Sequence, residues 1–132
     1  ISLEEGVELV WHAFDDMKGG EIYVKKIPSM KVTDVALAVD ENTKQEEVGI
    51  RPGEKLHEQM IGIEDALYTY EYPKHFKILP SINDWAKDET RIGDGIRVPE
   101  NFMYTSDNNK EWMKISDLQD WIEANKNKIG NI

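Results

Sequence analysis

The first eighteen residues carry a helical pattern of apolar positions. Large apolar side chains recur at spacings of four and three: Leu3, Val7, Val10, Phe14 and Met17. This spacing places them on one stripe of a helix. Ser2 and Glu5 form the sequence pattern of a capping box in front of that stripe. Gly19-Gly20 is typical of a helix end, so the pattern predicts a helix over about 3–18.

Shorter elements are predicted farther along the chain. Apolar spacing predicts a helix at about 32–41, with Val32, Val35, Ala36 and Val39 facing inward. Residues that favour strands predict strands at 21–24, 45–50, 68–72 and 76–79. A helical turn is expected at 64–67. Helices mixed with strands in this way predict an α/β fold.

The last third of the chain is predicted to hold a loop and a helix. Little periodicity over 80–99, together with Gly93-Asp94-Gly95, predicts a long surface loop. A second capping box, which begins at Ser116, predicts a C-terminal helix over about 115–127. Its apolar side is expected to include Leu118, Trp121, Ile122 and Ile129.

Composition and charge exclude several classes of protein. The 132 residues fit one domain or part of a larger one, and their 16 basic against 26 acidic residues give a net charge of −10. That charge disfavours nucleic acids and anionic membranes as partners. The chain has no cysteine and only three scattered histidines, so we expect no disulfide scaffold and no metal site.

No complete set of catalytic residues is present in the sequence. Tyr70 and Lys74 have the Tyr-x-x-x-Lys spacing of short-chain dehydrogenases, a chemistry that needs both side chains on one helical face. Pro73 lies between them, and proline in a helix interior costs ~3 kcal/mol. We therefore interpret the match as a coincidence.

One segment does carry a binding pattern. Arg51 follows the predicted strand 45–50, and an arginine there would point into the crevice where α/β proteins bind ligands. Its planar guanidinium suits bidentate contact with phosphate. Pro52-Gly53 would turn the chain and bring the Glu54 carboxylate back towards sugar hydroxyls. The alternative is an ordinary exposed turn, which the spacing alone favours.

Four ordered blocks add a family resemblance to this pattern. They read Gly19-Gly20-Glu21-Ile22-Tyr23-Val24, Lys26-Ile27-Pro28-Ser29-Met30-Lys31, Gly49-Ile50-Arg51-Pro52-Gly53-Glu54-Lys55-Leu56-His57-Glu58 and Tyr104-Thr105-Ser106-Asp107-Asn108-Asn109. Together they resemble the C-terminal portion of the UDP-N-acetylglucosamine 4,6-dehydratases, extended short-chain dehydrogenases of polysaccharide and glycan biosynthesis. The resemblance covers essentially the whole chain, and Lys25 departs from it where the family usually has proline.

The resemblance implies a fold and a set of site residues. The fold would be the C-terminal substrate-binding part of an extended short-chain dehydrogenase that lacks most of the Rossmann domain. Arg51 would bind the UDP diphosphate, and Glu54 would contact the uridine ribose. Lys55 and His57 lie in the same motif, but no role is implied for them. The catalytic Tyr-Lys pair and the NADP-binding loop would lie upstream of Ile1.

The resemblance also implies a function for the parent protein and a state for this chain. The parent would be a cytoplasmic lyase, and this chain would be inactive alone and bind a UDP-sugar but no cofactor. Residues 1–132 would form a single fragment whose first 44 residues pack on the absent Rossmann domain. Exposure of that face predicts self-association, with possible exchange of a strand or helix. A nucleotide-sugar epimerase fragment and a non-catalytic acidic interaction domain remain as alternatives.

Overall fold

The chain divides into two compact units in a computed structural model that describes residues 1–82 and 84–129. Unit 1 comprises Ile1–Ile27 and Gln59–Thr105, and unit 2 comprises Pro28–Glu58 and Ser106–Ile132. Helices accompany antiparallel strands, which confirms the predicted α/β class.

Unit 1 contains one long helix, six short strands and three shorter helical segments among its described residues. In chain order these are α1 (Leu3–Asp16), β1 (Ile22–Lys25), β2 (Gln59–Ile61), a 3-10 helix (Ile63–Tyr68), β3 (Thr69–Glu71), β4 (His75–Ile78), a second 3-10 helix (Trp85–Lys87), α3 (Glu89–Ile92), β5 (Ile96–Arg97) and β6 (Tyr104–Thr105). Unit 2 contains α2 (Val32–Val39), α4 (Ile115–Ala124) and α5 (Lys126–Ile129).

An antiparallel sheet in the order β1-β4-β3-β5 organises unit 1. Val24 of β1 lies opposite Phe76 of β4, and both side chains are buried. β2 and β6 form a separate antiparallel pair with an irregular register. The main apolar core gathers side chains from both sheets and from the loops between them: Val24, Ile61, Ala66, Phe76, Ile78, Val98 and Tyr104.

Helix α1 confirms the predicted capping box but presents its apolar stripe to solvent. The Ser2 hydroxyl accepts the Glu5 N–H, and the Glu5 carboxylate accepts the Ser2 N–H. Leu3 is 82% exposed and Phe14 is 64% exposed. The half-buried positions of the helix lie on the face adjacent to the stripe: Gly6, Leu9 and Ala13. The apolar periodicity therefore predicts the position of the helix correctly, but it does not predict which face of the helix is buried in this chain.

Two predictions for unit 2 are wrong. Residues 44–50 form no strand, so no strand leads into Arg51. The helix predicted at 32–41 is present as α2, but Val32 is 84% exposed and Ala38 is the buried residue. α2 packs against α4, and the small Ala38 side chain suits close approach of another element.

The helix predicted at 115–127 begins where expected, but its cap differs from the prediction. α4 starts at Ile115, and the Asp117 carboxylate accepts the Lys114 N–H at 3.0 Å, so Ser116 lies inside the helix. Leu118 and Ile122 are half-buried and Trp121 is exposed. The predicted inward side chain of Ile129 lies outside what the structure describes.

The prediction of a long loop over 80–99 is also wrong for the described residues. They include a 3-10 helix, α3 and β5, and only Asn83 lies outside the description. The segment is held by Arg91, whose guanidinium pairs with the Glu21 carboxylate and stacks 4.1 Å from the centre of the Trp85 ring. The same guanidinium donates to the Gly19 carbonyl at 3.1 Å.

The turn before β1 depends on a glycine at position 20. Gly20 has a φ of +84°, a conformation that side chains with a Cβ rarely adopt. A Cβ there would also lie only 2.8 Å from Cγ of Pro80. The glycine therefore permits both the turn and the close approach of the 80–99 segment.

We predict that the Arg91–Glu21 pair is a main source of stability in unit 1. Both side chains are buried, at 8% and 2% exposure, and removing one partner leaves an uncompensated buried charge. Arg91→Met should lower the free energy of unfolding by about 3 kcal/mol in denaturant titration. The matched control is Lys87→Met, because Lys87 pairs with Asp84 at an exposed position. Equal effects of the two substitutions would contradict this role for the pair.

Candidate functional site

The candidate site is built on a tight turn from Arg51 to Glu54. The Glu54 N–H donates to the Arg51 carbonyl at 3.1 Å. Gly53 has a φ of +83°, as the third residue of a type II turn requires, and Pro52 suits the second position. The turn predicted from Pro-Gly is therefore confirmed. The expected position of Arg51 at the end of a strand is wrong, because 44–50 has no strand.

The Glu54 side chain closes the same turn from the other direction. Its Oε2 accepts the backbone N–H of Arg51 at 2.8 Å. The two residues thus exchange hydrogen bonds through one carbonyl, one carboxylate and two amides. This contact brings Arg51 and Glu54 together at one turn.

The side chains of the motif are open to solvent. Arg51, Glu54, Lys55 and His57 are all exposed. Within 1–82 and 84–129, the guanidinium of Arg51 makes no hydrogen bond or ion pair. A guanidinium without such partners keeps all of its N–H donors available for an anion. The structure places Lys55 and His57 on the exposed segment that follows the turn.

Hydrogen bonds anchor the motif at its C-terminal end. The Glu58 N–H donates to the Ser106 hydroxyl at 3.0 Å, and the Ser106 N–H donates to the Glu58 carbonyl at 2.8 Å. Ser106 lies in the fourth sequence block, so two of the four blocks meet here. Sequence reasoning gave no signal for this contact, because the two residues are 48 positions apart.

A second set of bonds in unit 2 connects another block. The Asn109 side-chain amide donates to the Ser29 hydroxyl at 3.2 Å. The Ser29 N–H donates to the Glu111 carbonyl, and its own carbonyl accepts the Met113 N–H, each at 2.8 Å. Polar residues of three blocks therefore hold the backbone of unit 2 together. These polar residues therefore have a structural role in their sequence blocks, apart from any contact with a ligand.

Unit 1 contains a second candidate, a cavity of about 390 Å³. Its lining mixes apolar side chains with imidazoles and charged groups: Glu8, Leu9, His12, Lys25, Pro73, Lys74 and His75. The His75 ring stacks on Tyr72 with ring centres 4.6 Å apart, and the His12 ring lies 4.7 Å from it. His75 is half-buried, whereas His12 is exposed.

Burial keeps His75 neutral. Its Nε2 is buried and has no hydrogen-bond partner in the described part of the chain. Burial, with smaller effects of the positive charges of His12 and Lys77, lowers the pKa of His75 to about 4. An imidazole with this pKa carries no charge at neutral pH.

The charged groups beside His75 form a satisfied network. Lys77, with a side chain only 4% exposed, donates to Asp16 Oδ2 at 2.7 Å, and the Tyr23 hydroxyl donates to the same oxygen at 2.5 Å. Burial and the Asp16 carboxylate raise the pKa of the Tyr23 phenol. Burial opposes the charge of Asp16, but the bonds from Lys77 and Tyr23 outweigh it and lower the pKa of that carboxyl. Neither the protonated phenol nor the paired carboxylate is a good base.

No local sequence pattern marks this network, because Lys77 and Asp16 are 61 residues apart. The Tyr70–Lys74 match is a coincidence, as predicted. Tyr70 lies in β3 and Lys74 in the connection to β4, so they share no helical face.

Among the described residues, the glycines at 93 and 95 do not form a dinucleotide loop, and no cluster of metal-binding side chains is present. Gly93-Asp94-Gly95 follows the four-residue helix α3 and leads into the short strand β5, which does not fit a dinucleotide loop between a strand and a helix. No group of three acidic or histidine side chains suited to a metal ion occurs among residues 1–82 and 84–129. Within the same ranges, no helix has the length and apolar character needed to cross a membrane.

The fold and the sequence both have known relatives. The structure of Pen from Bacillus thuringiensis superposes with a TM-score of 0.77 at 26% identity, covering 96% of this chain and 38% of Pen. The chain therefore has the α/β fold of part of that larger protein. Residues 1–80 match the model of a family described as polysaccharide biosynthesis protein, and the chain belongs to this family.

Curated relatives are similar to the chain in the same way. A UDP-N-acetylglucosamine 4,6-dehydratase (inverting) from Campylobacter jejuni is 45% identical over 127 residues, covering 92% of this chain and 38% of the enzyme. A UDP-glucose 4-epimerase from Rickettsia akari is 30% identical over 82 residues, covering 59% of this chain and 24% of the epimerase. The predicted resemblance to the dehydratases is confirmed, and the chain spans little more than a third of their length.

The neutral state of His75 makes unit 1 sensitive to acid. The pKa of His75 is about 4 in the fold, against 6.5 for an ordinary histidine, so protons bind the unfolded chain first as the pH falls. Stability is therefore full above pH 6.5 and is lost progressively towards pH 4. We expect a loss of about 1 kcal/mol between pH 7 and pH 5 in denaturant titration, since partial exposure reduces the effect.

The control for this prediction compares two histidines. His75→Phe keeps a ring that can stack on Tyr72 and should abolish most of the loss between pH 7 and pH 5. His57→Phe changes an exposed histidine and should leave that loss unchanged. An undiminished loss in His75→Phe would show that other groups cause the acid sensitivity.

Proposed function

We propose that the chain is the UDP-sugar-binding C-terminal part of a UDP-N-acetylglucosamine 4,6-dehydratase of polysaccharide or glycan biosynthesis. The observation that carries the proposal is the exposed, unpaired guanidinium of Arg51, presented by a closed turn in a region that matches the family. The 45% identity to a dehydratase supports this reading over a chance turn.

In this proposal Arg51 binds the diphosphate of the UDP-sugar. The planar guanidinium donates two parallel N–H bonds to phosphate oxygens, which fixes both the position and the orientation of the nucleotide. Glu54 belongs to the same binding turn. Lys55 and His57 add positive or polar groups beside it, without an assigned contact.

In this proposal the chain contributes to the reaction by binding the nucleotide end of the substrate, away from the bonds that react. Binding energy from the nucleotide end of a substrate positions its reacting sugar without taking part in bond breaking. The acid, the base and the NADP cofactor belong to the remainder of a cytoplasmic parent enzyme. This chain therefore supplies a substrate-binding half and no catalytic residue.

The epimerase alternative has a specific observation behind it, the match to the Rickettsia enzyme over 82 residues. Both reactions use a UDP-sugar, so the Arg51 turn would serve either one. The dehydratase match is longer and closer, and for that reason we favour it. The interaction-domain alternative keeps three exposed tryptophans, Trp11, Trp112 and Trp121, whereas Trp85 is covered by Arg91.

We predict that this chain binds UDP through Arg51. A chemical-shift titration should show saturable shifts around residues 49–58, with a Kd of ~1 mM, which corresponds to about 4 kcal/mol. Arg51→Ala should weaken binding at least about tenfold, because the bidentate phosphate contact is lost. Lys44→Ala is the matched control, since it removes one positive charge from an exposed position of unit 2.

Two results would contradict the proposal. UDP shifts that persist in Arg51→Ala would mean that another surface binds the nucleotide. An equal loss in Lys44→Ala would mean that the interaction depends only on general charge. In either case the interaction-domain alternative would gain.

The apolar stripe of α1 supports a further part of the proposal. The stripe remains exposed, and β1 beside it forms one edge of the four-stranded sheet. In a protein of the relatives' length, we propose that residues 1–44 pack on the Rossmann part. In this chain alone, we propose that a second copy covers the stripe, because exposed apolar faces and free strand edges drive association.

We predict that the 132-residue chain self-associates through α1. Analytical ultracentrifugation at high micromolar concentration should detect a species larger than a monomer. Val10→Glu should shift that equilibrium towards the monomer, since it places a charge on the stripe at a position 53% exposed. Val48→Glu makes the same change at an exposed position of unit 2 and should have no effect. A monomeric unchanged chain would refute the prediction.

A further inference from the structure

Glu54 has a structural task that the resemblance does not assign to it. Its Oε2 accepts the Arg51 N–H at 2.8 Å, while its own N–H donates to the Arg51 carbonyl at 3.1 Å. Hydrogen bonds to a carboxylate are about twice as strong as neutral ones. The side chain therefore supplies the stronger of the two bonds that close the turn.

The surrounding backbone offers little else to fix Arg51. No strand or helix precedes it over 44–50, and the neighbouring anchor is at Glu58, seven residues later. Gly49 and Gly53 flank the arginine with φ values of +80° and +83°. Glycine has the widest conformational freedom of any residue, so these positions let the turn open when its bonds are lost. The Glu54 carboxylate is the constraint that opposes this freedom.

We propose that Glu54 is a positioning residue that holds the backbone of Arg51 so that its guanidinium is presented to the diphosphate. The inference rests on the proposed function. It gives Glu54 a role different from the ribose contact that the resemblance implies. Arg51 binds the phosphate, and Glu54 acts through Arg51.

The two roles predict opposite results for a ligand without ribose. If Glu54 contacts only ribose, Glu54→Ala weakens UDP binding but leaves inorganic pyrophosphate unaffected, or even tightens it by removing a negative charge. If Glu54 positions Arg51, Glu54→Ala weakens both ligands by the same factor. A loss of anion binding on removal of an anionic side chain cannot come from electrostatic repulsion.

The experiment titrates the chain with UDP and with inorganic pyrophosphate and follows chemical shifts. We expect Glu54→Ala to weaken both ligands about threefold to tenfold and Glu54→Gln, which keeps an oxygen acceptor, to bind nearly as the unchanged chain does. Glu47→Ala removes the same charge from an exposed position of unit 2 and is the matched control. In the absence of ligand, hydrogen exchange of the Arg51 amide should quicken in Glu54→Ala but not in Glu47→Ala.

The outcomes separate this inference from the proposed function. Undiminished pyrophosphate binding in Glu54→Ala, with Arg51→Ala losing both ligands, overturns the positioning role and leaves the proposed function standing. Unchanged exchange at Arg51 in Glu54→Ala also overturns it, because the carboxylate would then not hold the turn. Retention of both ligands by Arg51→Ala refutes the proposed function, and the positioning role falls with it.

Discussion

The antiparallel pairing of β1 with β4 is the constraint on which the rest of unit 1 depends. It joins Ile22–Lys25 to His75–Ile78, about fifty residues later in the chain. The pairing places Val24 opposite Phe76 in the core and Tyr23 opposite Lys77 in the charged network. Buried backbone groups must be hydrogen-bonded, which favours an intact ladder between the two strands. Because successive side chains of a strand point to opposite faces, a shift of the register by one residue would turn the core side chains outward.

The same pairing explains how a long segment comes to form a separate unit. The chain leaves unit 1 after Ile27 and returns at Gln59. At the point of departure, the Tyr104 hydroxyl accepts the Ile27 N–H and donates to the Ile27 carbonyl, each at 2.9 Å. The intervening residues hold α2 and the Arg51 turn, and they build unit 2 with the segment from Ser106 onward. The Arg51 turn therefore lies in a segment that begins directly after two part-buried hydrogen bonds of unit 1.

Local elements could be predicted from the sequence, whereas burial could not. The α1 capping box, the Pro-Gly turn and three of the six strands in the described chain follow from residues a few positions apart. The errors concern partners that are distant in sequence. Arg91 and Glu21 are 70 residues apart. Their pairing holds the 80–99 segment in place, and for this reason the prediction of a loop there was wrong. Lys77 and Asp16 are 61 residues apart, and no local pattern marks a lysine that will be buried by such a pair.

The candidate site shows the same division. The motif residues Arg51 and Glu54 were identified by residue type and family resemblance, and the turn was predicted from Pro-Gly. The strand predicted at 45–50 was wrong. Only Val48 and Ile50 favour strands in this segment, and no neighbouring strand supplies it with backbone partners among the described residues. The bond from the Arg51 amide to the Glu54 carboxylate depends on side-chain geometry, which residue order alone does not specify.

The exposure of Arg51 sets the strength of the proposed site. A guanidinium–phosphate pair in water is weak, and the same pair strengthens several-fold where neighbouring protein lowers the local dielectric constant. An exposed arginine on a closed turn therefore gives orientation at little desolvation cost and only modest affinity by itself. Affinity would increase when another part of a larger protein covers the nucleotide. In this proposal the chain supplies a preformed contact for the diphosphate, and the protein that encloses the nucleotide supplies most of the remaining binding energy.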